Sequence, residues 1–152
     1  RRLRPPDPDP DPEVIFLVDR NNQYDVWFRS MSNLHSARIL IAENNSAVRT
    51  MICELLGARG HDVFVAYDGT MARDVFEQSQ TAFDLIVIRS HLPLMGGVEL
   101  LKVVRSRSPA VPILFIKESI DEEIVGIDES CEVISKPFSP LEFVSAVQRC
   151  LS

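Results

Sequence analysis

The chain has 152 residues, with 16 Lys+Arg against 22 Asp+Glu, 45% hydrophobic and 25% charged residues, and a formal net charge of −6. These values describe one ordinary globular domain with appendages, and the acidic balance argues against a chain that wraps nucleic acid, because neutralising phosphates needs clustered Lys and Arg. No apolar run approaches 18 residues, so no membrane contact is expected of this segment; Cys53, Cys131 and Cys150 lack metal-ligand spacing, and two of them sit in apolar stretches, which fits buried thiols in a reducing compartment, the cytoplasm.

Residues 1–12 hold five prolines in the run RRLRPPDPDPDP. Proline removes backbone donors and pushes the preceding residue toward extended conformations, so this stretch reads as a stiff, solvated linker. Residues 13–36 carry two apolar runs, Val14–Val18 and Tyr24–Phe28, around a polar cluster centred on Asn21 and Asn22. That pattern predicts a β-hairpin and a joint. A two-stranded hairpin is marginal alone, so it must dock on something, be it this domain, a second copy or another domain, or form the tail of an upstream one. The start at Arg1, with no leader pattern, suggests a piece of a longer protein whose missing part lies upstream.

Residues 37–152 are regular. Strands are expected at Arg38–Ala42, Val63–Tyr67, Leu85–Ile88, Pro112–Ile116 and Glu132–Ser135. Helices are expected at Ser46–Leu56, Met71–Gln78, Val98–Val104 and Ser139–Leu151, the last capped by Ser139 with Pro140 at its first position. Near-continuously apolar strands alternating with helices imply a doubly wound α/β domain, a five-stranded parallel flavodoxin-like (βα)5 sheet with helices on both faces. Functional groups in such sheets gather beyond the carboxyl ends of the strands. Those positions hold Glu43 and Asn44, then Arg89, Ser90 and His91, then Lys117 and Glu118, then Lys136, Pro137 and Phe138.

The segments RILIAENN, GHDVFVAYDGTMA, DLIVIRSHLPLMGGVELL, VPILFIKES and SKPFSPLEF, in this order, resemble the receiver domain of bacterial two-component response regulators. The resemblance covers residues 37–152. It implies a carboxylate at the end of strand three that accepts a phosphoryl group, an acidic pair after strand one that holds Mg²⁺, a hydroxyl after strand four and a lysine after strand five. Carried over residue by residue, the acidic pair falls on Glu43 and Asn44, the acceptor on Arg89, the hydroxyl on Lys117 and the lysine on Lys136. Arginine forms no acyl phosphate and is always charged. The expectation is therefore a degenerate pseudo-receiver that is not an enzyme, has lost its Mg²⁺ site and pairs Arg89 with Glu43.

The interval from Lys117 to Lys136 is short and acidic, so the helix expected there is shortened or partly unwound. Ile120, Ile124, Val133 and Phe138 form a candidate interaction face, with Val133 standing where the family carries an aromatic switch residue. The resemblance implies a regulatory protein–protein module whose partner is a histidine kinase, another receiver, an effector domain or a second copy. The alternatives are a receiver with an unorthodox phosphoacceptor, and an anion or small-molecule sensor built on Arg89, Lys117 and Lys136. Ser90 and His91 read as loop residues, and neither His35 nor His61 has a ligand set around it.

Overall fold

The computed structural model describes residues 36–152, so the linker and most of the hairpin segment lie outside the described residues. The elements are β1 (Arg38–Ala42), α1 (Ser46–Gly57), β2 (Asp62–Ala66), α2 (Gly69–Gln78), β3 (Leu85–Arg89), α3 (Gly97–Arg107), β4 (Ile113–Lys117), β5 (Glu132–Ser135) and α4 (Pro140–Leu151). All strand pairings are parallel, in the order β2-β1-β3-β4-β5. The doubly wound parallel sheet expected from the sequence is present.

Side-chain alternation along the strands divides the core into two layers. Ile39, Ile41, Leu85, Val87, Leu114 and Ile116 face α1 and α4, where Ile52, Leu56, Phe143 and Val147 close over them. Leu40, Ala42, Ile86, Ile88, Ile113 and Phe115 face α2 and α3, under Ala72, Leu100, Leu101 and Val104. The three central strands are almost wholly buried because both faces are covered. No helix among the described residues is long and apolar enough to cross a membrane.

Helix starts follow the sequence chemistry. The Asn45, Asp68 and Ser139 side chains accept from the backbone amides of Val48, Met71 and Glu142, satisfying donors that a first turn leaves unpaired. Two glycines permit close approach at the carboxyl end of the sheet. A Cβ on Gly69 would lie 1.9 Å from the Met95 carbonyl oxygen, and one on Gly97 would lie 2.4 Å from that of Arg89. Only a bare Cα lets α2 and α3 begin so near the loop after β3.

The interval between β4 and β5 holds no helix. It runs as turns, with Ile124, Ile127 and Cys131 packed against the α2–α3 side of the core. The chain's short apolar set suffices to hold a loop down but not to fill a helical stripe. Arg105 of α3 pins the loop, donating to Asp128 at 2.9 Å, to Ser130 at 3.0 Å and to the Val111 carbonyl at 2.6 Å. Those bonds, led by the Arg105 guanidinium, hold the Asp128 carboxyl far below the usual carboxylate range. Without a helix above it, Val133 on the edge strand stays 36% exposed.

Candidate functional site at the carboxyl ends of the strands

β1 and β3 are adjacent central strands, and β4 and β5 follow in order, so residues beyond their carboxyl ends converge. Glu43 leaves β1 directly. Its amide donates to the Ala66 carbonyl at 3.1 Å, and its side chain is fully buried. A buried carboxylate needs compensation. Lys136, at the end of β5, supplies it through a 2.8 Å bond from Nζ to Oε1. The Lys136–Pro137 peptide is cis, and Phe138 beyond it stacks on Phe143 at 5.8 Å between ring centres.

Arg89 terminates β3 and points inward, with its side chain 15% exposed. Its main partner is Glu118. Nε donates to Oε1 at 2.5 Å and Nη2 to Oε2 at 2.9 Å, the two-pronged geometry that a planar guanidinium and a carboxylate share. Nη1 donates to the Asn44 side-chain oxygen. The pair expected between Arg89 and Glu43 exists only as a charge contact, Nε to Oε2 at 3.7 Å. Glu43 Oε1 already belongs to Lys136, and Oε2 accepts no hydrogen bond. The fork with Arg89 keeps the Glu118 carboxyl below its ordinary pKa, and Glu118 in turn raises that of Arg89. The stability this lends is present above the ordinary glutamate pKa and is lost as pH falls through the lowered value.

Lys117 stands apart from this cluster. The chain turns immediately after β4, and the Lys117 ammonium donates to the Ile120 carbonyl at 3.0 Å. Of the four residues expected to form an interaction face, Ile120 is 79% exposed and Val133 is partly so, whereas Ile124 and Phe138 pack against the core.

Two further residues shape the site. Glu122 Oε1 accepts from the Glu118 amide at 2.6 Å and from Ser90 Oγ at 3.1 Å, while Oε2 lies 3.2 Å from His91 Nε2. This ties the loop after β4 to the loop after β3. The four-residue spacing from Glu118 to Glu122 was the available signal. Arg49 sits over the Tyr67 ring at 4.3 Å and donates to the Glu43 carbonyl at 3.2 Å. Its place one turn into α1, beside the β1 end, was the corresponding signal.

The family model described as response regulator receiver domain matches residues 39–148. Response regulator MprA of Mycobacterium bovis is 29% identical over 119 residues, covering 76% of this chain and 51% of that protein. The chain thus spans about half the length of the curated relatives it matches. The receiver domain of hybrid histidine kinase CckA is 30% identical with a TM-score of 0.65, and chemotaxis protein CheY4 of Vibrio cholerae is 27% identical with a TM-score of 0.66. In both cases the match covers 76% of this chain and 99% of the other. With strand order and family match in agreement, the chain belongs to the response regulator receiver domain family.

Proposed function

We propose that this receiver domain is not phosphorylated and regulates a two-component signalling pathway by binding another signalling protein. The observation that carries the reading is the cation at the end of β3. Arg89 holds the position where the resemblance implies a phosphoaccepting carboxylate, and its guanidinium is already forked onto Glu118 and bonded to Asn44. Phosphoryl transfer needs a nucleophilic oxygen there with charge neutralisation around it. A guanidinium offers neither a nucleophile nor an acceptor.

The donor set does not fit Mg²⁺. The ion wants several oxygen ligands in near-octahedral geometry. Here Glu43 Oε1 is bonded to Lys136, the Asn44 side-chain oxygen to Arg89, and Glu43 Oε2 faces a guanidinium. Two cations and two carboxylates already balance. The same balance weighs against an anion sensor, because Arg89 and Lys136 are neutralised internally and Lys117 is engaged elsewhere.

Incubation with Mg²⁺ and acetyl phosphate, followed by intact-mass measurement, tests the reading. The unmodified chain keeps its mass. The Arg89→Asp variant also remains unlabelled, because the positions of Asn44 and Lys117 still lack the carboxylate and hydroxyl. A phosphoryl adduct on the unmodified chain would overturn the proposal, and rapid labelling of Arg89→Asp would show that Arg89 alone blocks the chemistry.

A further inference from the structure

The two edges of the sheet are closed to different degrees. At the β2 edge four of the five residues are buried, whereas none of the four residues of β5 is. The interval between β4 and β5 runs as turns, so no helix shields β5 on the α2–α3 side. The register fixes which backbone groups face outward. The Lys136 amide donates to the Lys117 carbonyl at 2.9 Å, and Ser135 is the partner of Lys117 across the ladder. Backbone groups of successive residues point to opposite sides of a strand, so Glu132, Ile134 and Lys136 bond to β4, while the amides and carbonyls of Val133 and Ser135 face away from the sheet. Among the described residues these outward groups have no partner. Such an edge is a template for another strand.

We propose that the β5 edge docks an extended, cationic segment of a partner protein, which adds to the sheet as a further strand. This names the partner chemistry for the binding reading above and rests on it. Charge complementarity selects the occupant. Glu118, Asp128 and Glu132 are taken by Arg89, Arg105 and Arg149. Asp121, Glu123 and Glu129 are exposed and have no cationic partner among the described residues. The interval that carries them runs from the carboxyl end of β4 back to the start of β5, held on the α2–α3 layer by Ile124, Ile127 and Cys131, so its carboxylates flank the open edge. Val133, 36% exposed on the strand, and Val125, 88% exposed on the interval, add apolar surface. Lysine or arginine at alternate positions of an incoming strand would lay its apolar stem over Val133 and carry its charge to these carboxylates. A second copy would instead set the same carboxylates against one another.

The probe is a capped peptide of alternating lysine and valine, added to the unmodified chain without a phosphodonor, with amide hydrogen exchange followed by NMR. In the free chain the Val133 and Ser135 amides should exchange rapidly and that of Ile134 slowly. The peptide should slow both outward amides several-fold, an effect that weakens at high salt. The glutamate–valine counterpart should leave them unchanged, as should a fully N-methylated lysine–valine peptide, which keeps the charges but has no amide donor. Val133→Pro removes only an outward donor, so circular dichroism should show an intact fold while the protection of Ser135 by the peptide falls. Outward amides already protected in the free chain would overturn the proposal, and loss of that protection on dilution would assign the edge to a second copy. Unchanged exchange with the lysine–valine peptide would overturn it as well. Equal protection by the glutamate or the N-methylated peptide would overturn the charge selection or the strand pairing. Peptide-induced shifts elsewhere, without protection at β5, would overturn this site and leave the binding reading standing. None of these outcomes depends on whether the chain is phosphorylated, which the mass measurement decides.

Discussion

Glu43 and Lys136 form the pair on which the site rests. The carboxylate is fully buried, and one of its oxygens has only the 3.7 Å charge contact with Arg89. Removing Lys136 would strand a buried charge, which typically costs about 3–5 kcal/mol. Since Arg89 remains nearby, Lys136→Ala is expected at the lower end, about 3 kcal/mol, read from urea denaturation. A loss within experimental error would show that Glu43 is compensated without Lys136. That Glu43, Asn44, Arg89 and Lys136 lie near one another follows from strand order, and the sequence carries that much. Their choice of partners does not follow. Arg89 takes Glu118 because a carboxylate leaving β4 can meet both prongs of the guanidinium, a matter of side-chain reach that no spacing encodes.

At the level of elements, the strands stand where apolar runs predicted them, within a residue at each end, because three of the five are buried on both faces and leave no ambiguity of period. The acidic interval after β4 was legible as a weakened helix. That it abandons helix altogether depends on Arg105 and the core contacts of Ile124 and Ile127, which are tertiary. The same contacts turn Ile124 inward, and the stacking of Phe138 on Phe143 does so at the other edge, which leaves Ile120 and Val133 as the exposed members of the candidate face. Gly97 sets how closely α3 approaches the end of β3. In Gly97→Ala the new methyl would meet the Arg89 carbonyl at 2.4 Å and the Ser90 Cα at 3.0 Å. Overpacking of this kind costs about 1–3 kcal/mol. A lowered urea midpoint with shifted Arg89 and Ser90 amide resonances is expected, whereas unchanged values would mean that the loop yields freely.

For the molecule as a whole, the two ends of the sheet respond differently to pH. His61, at the end of the sheet opposite Arg89, is buried, and its Nδ1 accepts from the Ala37 amide at 3.0 Å, which requires the neutral ring. Burial, helped by nearby Arg59, lowers its pKa from 6.5. The unfolded chain therefore binds a proton more readily, and the His61 contribution is intact above about pH 6.5 and lost as pH falls toward the lowered value, by at most about 1.4 kcal/mol per pH unit. Melting temperatures at pH 7.5 and 5.5 should differ more for the unmodified chain than for His61→Gln, and equal differences would remove His61 as the cause. At the other end, the central claim is that an internal cation has replaced the metal and the phosphoryl switch. The most direct test follows backbone amides by NMR while Mg²⁺ and then beryllofluoride, a phosphoryl mimic, are added to the unmodified chain. The account predicts no saturable shifts at Glu43, Arg89 and Lys136. Saturable shifts at those residues, moving together with residues of α4, would contradict it.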